Sequence, residues 1–120
     1  MIKRIVIAGC RYYDNYGEAK QFIDKCISDL RTNNTIIIIS GASSGADAIG
    51  ERYAAENGFE IEKYPADWKR FGRKAGPIRN RQLAELCDIA ICFWNENSKG
   101  TKSMIDCARK LGKEVIIKKI

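Results

Sequence analysis

Three short segments combine glycines with hydroxyl, amide or basic side chains, a composition that suits the binding of a phosphate or another anion. They are 9–11, 40–47 and 95–101. Glycines let backbone N–H groups approach an anion closely, and a helix that begins behind such a turn adds about half a positive charge. Ordinary turn formation explains any one of these segments equally well. The anion-binding interpretation is therefore stronger if at least two of them face one crevice.

Several side chains in or near these segments could contact such an anion directly. A guanidinium at Arg11 suits a bidentate clamp on a phosphate, and Arg79, in the first turn of a predicted helix, is the residue of the basic segment best held in place. Asp47 is either a first-turn residue favoured by a helix dipole or an acceptor for a ligand hydroxyl. Trp68 and Trp94 could stack on a base, although core packing explains Trp94 at least as well. These residues are candidate contacts for a nucleotide-like ligand.

The net charge of +6 is concentrated in one segment of the chain. Residues 63–81 hold seven basic side chains and one acid, Asp67, which leaves 14 residues of each sign in the rest of the sequence. Such a segment attracts an anionic partner. A solvated loop is the alternative, but the aromatic residues Trp68 and Phe71 interleaved with the charges favour an ordered loop. The same mixture is typical of single-stranded nucleic-acid binding.

Apolar patterning predicts the elements that must position these segments. The expected strands cover 3–8, 35–40, 59–64, 89–94 and 114–118, and the expected helices 18–31, 45–57, 77–86 and 101–111. The strands show no alternation of polar and apolar residues, as expected when helices cover both faces of a sheet. Strand and helix alternate throughout, which predicts parallel strands joined by right-handed crossovers.

This alternation predicts an α/β fold with a Rossmann-like, doubly wound, five-stranded parallel sheet. We expect the strand order 3-2-1-4-5, helices on both faces, and a single domain over residues 1–120. Five strands are too few for a closed parallel barrel. Ligands of such sheets bind beyond the carboxyl ends of the strands, where the winding reverses between strands one and four. All three glycine-containing segments should meet there.

Composition excludes several classes of protein. Apolar runs such as Ile36 to Ile39 end far short of the roughly 20 residues of a membrane span, so no membrane partner is expected. The N-terminal apolar run is too short for a secretory signal, so we expect the mature chain to start at or near Met1. Five cysteines without a CxxC spacing, and no histidine, predict a reduced cytoplasmic protein without a metal site.

Four motifs, in order along nearly the whole chain, resemble those of a known family. They are Ser-Gly-x-x-x-Gly-Ala-Asp at 40–47, Tyr-Pro-Ala-Asp-Trp at 64–68, Ala-Gly-Pro-Ile-Arg-Asn at 75–80, and Phe-Trp followed by Ser-Lys-Gly-Thr within 93–101. Together they are similar to the YspA-type, cpYpsA-related subgroup of the SLOG superfamily. The resemblance implies a Rossmann-like fold whose crevice recognises a nucleotide or nucleotide-derived ligand, for example one like ADP-ribose, often in a sensing role.

The resemblance also implies phosphate contacts from Gly41, Gly45, Gly100 and Thr101. Residues and resemblance together give a set of expected ligand contacts: Gly9, Arg11, Gly41, Ser43, Gly45, Asp47, Trp68, Arg79, Asn80, Ser98, Gly100 and Thr101. The sequence departs from the family pattern at Cys10, where a serine is common, at Ala42, where a glycine is common, and at Ser44, where a basic residue is common. The related LOG phosphoribohydrolases carry a glutamate where this chain has Met104.

Three functions remain open from the sequence. The first is a nucleotide-binding sensor module, which needs the crevice, the helix N-termini and the arginines. The second is an enzyme that cleaves an N-glycosidic or phosphate bond, with Asp47 or Asp67 as the candidate catalytic carboxylate. The third is single-stranded nucleic-acid binding, suggested by the basic segment and by distant kinship to DprA proteins. The sequence leaves open the identity of the ligand and whether the chain forms homo-oligomers.

Overall fold

The computed structural model describes residues 1–120, which form one sheet flanked by helices. The strands are β1 (Ile2–Gly9), β2 (Thr35–Ser40), β3 (Glu60–Lys63), β4 (Ile89–Trp94) and β5 (Glu114–Lys119). The helices are α1 (Tyr16–Ile27), α2 (Leu30–Asn33), α3 (Ala46–Asn57), α4 (Trp68–Phe71), α5 (Ala75–Leu86) and α6 (Lys99–Lys110), with a 3-10 turn at Gly72–Lys74. None of these helices has both the length and the apolar character needed to cross a membrane.

All five strands are parallel and lie in the order β3-β2-β1-β4-β5, which confirms the predicted topology. The central strand β1 pairs with β2 on one side and β4 on the other, so that Ile5 is opposite both Ile38 and Ile89. The winding reverses between β1 and β4. A crevice is therefore expected where these two strands end, at what we call the carboxyl edge of the sheet.

Alternate residues of the strands feed two separate cores, one on each face of the sheet. Ile5 and Ile7 of β1 pack with α1 and α3, where Tyr53 is fully buried. Val6 and Ala8 point the other way and pack with α5 and α6. Burying both faces explains why the strands are apolar without alternation. Each fully buried isoleucine contributes about 1.5–3 kcal/mol to folding.

Several predicted element boundaries are wrong because local caps override the apolar pattern. Asn15 accepts the N–H of Glu18 and starts the first helix at Tyr16, and that helix ends at Ile27. A separate short helix, α2, then covers Leu30–Asn33. Ser98 likewise starts α6 at Lys99, two residues before the predicted start. The interpretation of the basic segment as a loop is also wrong, since it contains α4 and the 3-10 turn.

Candidate functional site

A cavity of about 410 Å³ lies at the carboxyl edge, where β1 and β4 end. Its walls come from the turn after β1, the turn before α3, the first half of α5, and the turn after β4 with the start of α6. Most of the expected contact residues line it: Gly9, Arg11, Ser43, Asp47, Arg79, Asn80, Ser98, Gly100 and Thr101. The remaining expected contacts, Gly41, Gly45 and Trp68, are not among its lining residues.

Arg79 presents a fixed guanidinium to this cavity. Its Nε donates to Oδ1 of Asn80 at 3.1 Å, and its Nη1 donates to the carbonyl of Gly41. Its Nη2 donates to no protein acceptor. Because every buried side-chain nitrogen in the structure has a hydrogen-bond partner, Nη2 must be accessible to solvent. Burial lowers the pKa of Arg79, against the attraction of Asp47. Arg79 remains a cation whose free donors can bind a ligand oxygen.

Asn80 and Asp47 tie the walls of the cavity together. Asn80 is buried, and its Nδ2 donates to the carbonyl of Gly100 at 3.3 Å, which joins α5 to the start of α6. Asp47 is 7% exposed and accepts the N–H of Ser43 at 3.1 Å. Burial raises the pKa of Asp47, although the Ser43 N–H and the Arg79 charge act in the opposite direction. Asp47 and Arg79 do not form a direct ion pair.

The first turn of α6 is open towards the cavity. The Oγ of Ser98 accepts the N–H of Thr101 at 3.3 Å and so caps the helix. A Cβ placed on Gly100 would meet no atom within 4 Å. The positive end of the α6 dipole therefore faces open space beside Arg11 and Arg79. This arrangement can accommodate a negatively charged group.

Polar contacts also hold the turn before α6 in place. Asn95 Oδ1 accepts the N–H groups of Asn97 and Ser98 at 2.8 and 2.9 Å. Trp94 is half-buried against the core, and its Nε1 donates to the carbonyl of Ser98 at 3.1 Å. Trp94 therefore has the core-packing role that the sequence allowed as an alternative to base stacking.

The N-terminus of α3 has a different environment, because the turn after β1 covers it. The N–H of Ala46 donates to the carbonyl of Cys10 at 3.3 Å, and Ser44 Oγ donates to the carbonyl of Arg11 at 3.3 Å. Gly45 has a φ of 73°, and a Cβ there would overlap the backbone of Cys10 and Arg11. Gly45 thus allows two backbone segments to pack closely.

Gly41 has a comparable packing role behind the cavity. A Cβ on Gly41 would lie 2.7 Å from the guanidinium carbon of Arg79 and 2.9 Å from Oδ2 of Asp47. The absence of a side chain at Gly41 is what lets Arg79 reach the Gly41 carbonyl. The two glycines expected after β2 to contact phosphate therefore lie behind the residues that face the cavity.

Asp67 and Trp68 lie away from the cavity. Asp67 is exposed, and its Oδ1 accepts the N–H of Arg70 at 3.1 Å, which makes it the cap of α4. Trp68 is 52% exposed on the same short helix. Of the two candidate catalytic carboxylates, only Asp47 lines the cavity.

Sequence reasoning missed several lining residues, among them Tyr12, Asn97 and Met104. Tyr12 directly follows Arg11, an expected contact, and this adjacency could have indicated that Tyr12 also lines the cavity. Asn97 lies within the segment 95–101 that the sequence had marked. Met104 lies on the apolar stripe of α6, where the pattern indicates only core packing.

Residues 3–71 match the model of the YAcAr family, described as the YspA, cpYpsA-related SLOG family. This chain belongs to that SLOG family. Gene 61 protein of Mycobacterium phage D29 is 30% identical over 122 residues, which cover 96% of this chain and 95% of that protein. The resemblance inferred from the four motifs is confirmed.

Two solved structures are similar to this SLOG chain over 96% of its length, each with a TM-score of 0.67. One is DNA processing protein A from Helicobacter pylori, at 22% identity, whose structural study addressed its single-stranded DNA binding mode. The other is TM1055, a structural genomics target, at 18% identity. The SLOG chain spans 64% of the first and 72% of the second. At these identities the likeness confirms the Rossmann-like fold.

Proposed function

We propose that this SLOG chain binds a phosphate-bearing, nucleotide-derived ligand in the cavity between β1 and β4 and acts as a sensor of that ligand. One observation carries the proposal. Arg11, a fixed Arg79 and the open first turn of α6 line the same cavity. Two cations and a helix dipole acting on one cleft favour a polyanionic group such as a phosphate or pyrophosphate.

The size and charge of the cavity support a small ligand of the ADP-ribose class. Its volume of about 410 Å³ lies within the usual range for small-molecule sites. Arg11 and Arg79 outnumber the one acidic side chain that lines it, Asp47. The lining amides of Asn95 and Asn97 add groups that can bond a ribose or a base.

Binding is favoured over hydrolysis because the cavity offers a single carboxylate. Hydrolysis of an N-glycosidic bond commonly uses one group to stabilise the developing charge and a second to transfer a proton. No second acid lines the cavity beside Asp47, and Met104 is part of its wall. The ligand should therefore be recovered intact after the binding assay, and its cleavage would instead indicate hydrolytic activity.

The thiols favour a cytoplasmic location for this function. All five cysteines are free. Burial raises the pKa of Cys87 and raises that of Cys92 to about 12, so both are poorly reactive thiols. Reduced, buried thiols are typical of proteins of the reducing cytoplasm.

Thermal shift measurements with ADP-ribose, AMP and ADP test the proposal. We expect at least one of them to raise the melting temperature of the wild-type chain, because a ligand that binds only the folded state stabilises it. Arg79→Ala should abolish the shift. Arg81→Ala is the matched control, since Arg81 lies on the same helix with its side chain 74% exposed and paired with Glu85.

A pair of glycine variants tests the helix N-terminus separately. Gly100→Asp places a carboxylate in the open first turn of α6 and should abolish binding by repulsion. Gly17 occupies the same second helical position in α1, outside the cavity, so Gly17→Asp is its control. Unchanged melting curves across all three nucleotides, or equal loss in both glycine variants, would contradict the proposal.

A second candidate function is single-stranded nucleic-acid binding, favoured by one surface. This basic-aromatic surface consists of Trp68, Lys69, Arg70, Phe71, Arg73 and Lys74, all exposed. The Arg70 guanidinium lies 5.0 Å from the centre of the Phe71 ring. The surface follows β3 and so lies at the same carboxyl edge as the cavity. Cations beside exposed rings suit phosphates beside stacked bases.

Oligonucleotide binding at several salt concentrations tests this second candidate. If a strand neutralises several of these cations, its affinity should fall steeply as salt rises. Trp68→Ala should weaken oligonucleotide binding and leave the nucleotide-induced melting shift unchanged. Failure to bind a single-stranded oligonucleotide at low salt would eliminate this candidate without affecting the first.

A further inference from the structure

A second cavity, of about 440 Å³ but shallower and more open to solvent, adjoins the first one. It is lined by Cys10, Tyr12, Tyr13, Glu18, Asn95 and Ile120. Three of these residues, Cys10, Tyr12 and Asn95, also line the first cavity. The two cavities are therefore neighbours across Tyr12 and Asn95, and a ligand held in one can extend into the other.

The wall between the cavities is aromatic. Tyr12 is 95% exposed, and its hydroxyl has no hydrogen-bond partner in the protein. Tyr13 behind it is held in place, because its ring stacks on Phe93 with centroids 5.1 Å apart and its hydroxyl donates to Glu18 at 2.6 Å. An unpartnered ring beside a fixed one suits a planar, partly apolar group.

The two cavities differ in charge. Arg11 and Arg79 line the first, whereas Glu18 is the one charged side chain that lines the second. Glu18 uses Oε1 to accept the Tyr13 hydroxyl, which leaves its Oε2 free to accept another hydrogen bond. A phosphate is thus attracted to the first cavity and repelled from the second, whereas a neutral N–H donor is favoured in the second.

We propose that the second cavity holds the base of the nucleotide whose phosphate occupies the first, with selectivity for a base that carries an exocyclic amino group. The base stacks on Tyr12, and its amino group donates to Glu18. A base with a carbonyl oxygen at that position faces the carboxylate unfavourably. This inference rests on the proposed nucleotide-binding function and adds the orientation and the base class of the ligand.

Calorimetric titrations with AMP, IMP and ribose 5-phosphate test the inference on the full chain. AMP and IMP differ at C6, an amino group against a carbonyl, and at the adjacent N1, which carries a hydrogen only in IMP; ribose 5-phosphate has no base. We expect AMP to bind about tenfold more tightly than ribose 5-phosphate, in line with the usual contribution of one stacked base. We expect AMP also to bind more tightly than IMP.

Two variants separate stacking from hydrogen bonding. Tyr12→Ala should lower the affinity for AMP about tenfold and that for ribose 5-phosphate much less, because only AMP has a base to stack on the ring. The variant should fold normally because Tyr12 is almost fully exposed. Glu18→Gln should reduce the preference for AMP over IMP, because an amide can both accept and donate. Trp68→Ala removes an exposed ring outside both cavities and should change none of these affinities.

The possible outcomes distinguish this inference from the function on which it rests. Equal affinities for AMP and ribose 5-phosphate, unchanged in Tyr12→Ala, would overturn the base site and leave phosphate binding in the first cavity intact. Equal affinities for AMP and IMP in the wild type would overturn the assigned selectivity. If none of the three compounds binds, the proposed function and this inference both fail.

Discussion

Helices α3 and α6 both begin at the carboxyl edge with a glycine close to their start, yet their N-termini have opposite surroundings. Gly45 directly precedes α3, and Gly100 is the second residue of α6. The backbone of Cys10 and Arg11 covers the start of α3, and Gly45 is required for that contact. The start of α6 faces the first cavity, and a side chain at Gly100 would meet nothing. Glycine therefore accompanies close backbone packing at one helix start and open space at the other.

The starts of α3 and α6 differ because of the segments that pack against them and not because of their own residues. The turn after β1 packs against the start of α3, where its carbonyls accept hydrogen bonds from Ala46 and Ser44. Those contacts occupy the positive end of α3 and leave α6 as the free one. A turn containing glycine at a helix start thus indicates an anion site only after its neighbours are known.

The largest effect expected from this comparison is the loss of stability caused by a substitution at the start of α3, the covered helix. Gly45→Ala should destabilise the fold by about 3 kcal/mol, because the new Cβ overlaps backbone and the φ of 73° is unfavourable for alanine. Urea unfolding measures the loss. Gly100→Ala is the matched control and should raise stability by up to about 1 kcal/mol. A small loss at Gly45 would mean that the start of α3 can open.

A second substitution tests the packing role of Gly41. Gly41→Ala should displace the Arg79 guanidinium and lower the affinity for AMP about tenfold, equivalent to about 1.4 kcal/mol. Titrations of the variants of a double-mutant cycle test whether Gly41→Ala acts through Arg79. In an Arg79→Lys background, which keeps a cation but loses the guanidinium that meets Gly41, Gly41→Ala should have no further effect on the affinity. Additive losses would instead show that Gly41 itself contacts the ligand.

The cap of the open helix gives a smaller effect. Ser98→Ala removes the acceptor of the Thr101 N–H and should cost about 1 kcal/mol of unfolding free energy. Ser44→Ala, at the covered helix, removes an exposed hydrogen bond that caps no N–H group and should cost less than about 0.5 kcal/mol. Equal losses in the two variants would contradict the assignment of Ser98 as the cap.

The smallest expected effect is the pH dependence that Asp47 contributes. Burial raises the pKa of Asp47 in the folded protein, so the folded state binds this proton more tightly than the unfolded state. The resulting stability is fully present below the unfolded pKa and is lost as the pH rises through the raised folded pKa. Wild type should therefore lose stability relative to Asp47→Asn as the pH rises from acid to neutral. Parallel unfolding curves at all pH values would contradict this.

The fold could be predicted from the sequence because its determinants are periodic and local. Four consecutive isoleucines at 36–39 indicate a strand buried on both faces, and regular alternation with helices restricts the strand order. The position of Arg11, Asp47 and Gly100 at one edge followed from the same topology, since the carboxyl ends of parallel strands share an edge. Family membership adds support to this part of the prediction.

The finer geometry depends on contacts between residues far apart in the sequence. Whether Gly41 faces a ligand or a side chain is decided by Arg79, 38 residues away. Tyr13, which lines the second cavity, stacks on Phe93, a contact that no local sequence pattern indicates. Asp67 is a residue type that often caps helices, and it caps α4. The four residues 68–71 are too few to show an apolar helical stripe, so the sequence did not predict this helix.

The pairing of β1 with β4 also governs when the cavity can form during synthesis. The N–H of Arg4 at the start of β1 donates to Asp88, 84 residues later. Closing a loop of that length is entropically costly, and structures dominated by such distant contacts fold comparatively slowly. Strand β1 can therefore gain its second neighbour only after β4 has been synthesised. A nascent chain that ends before β4 lacks one wall of the first cavity.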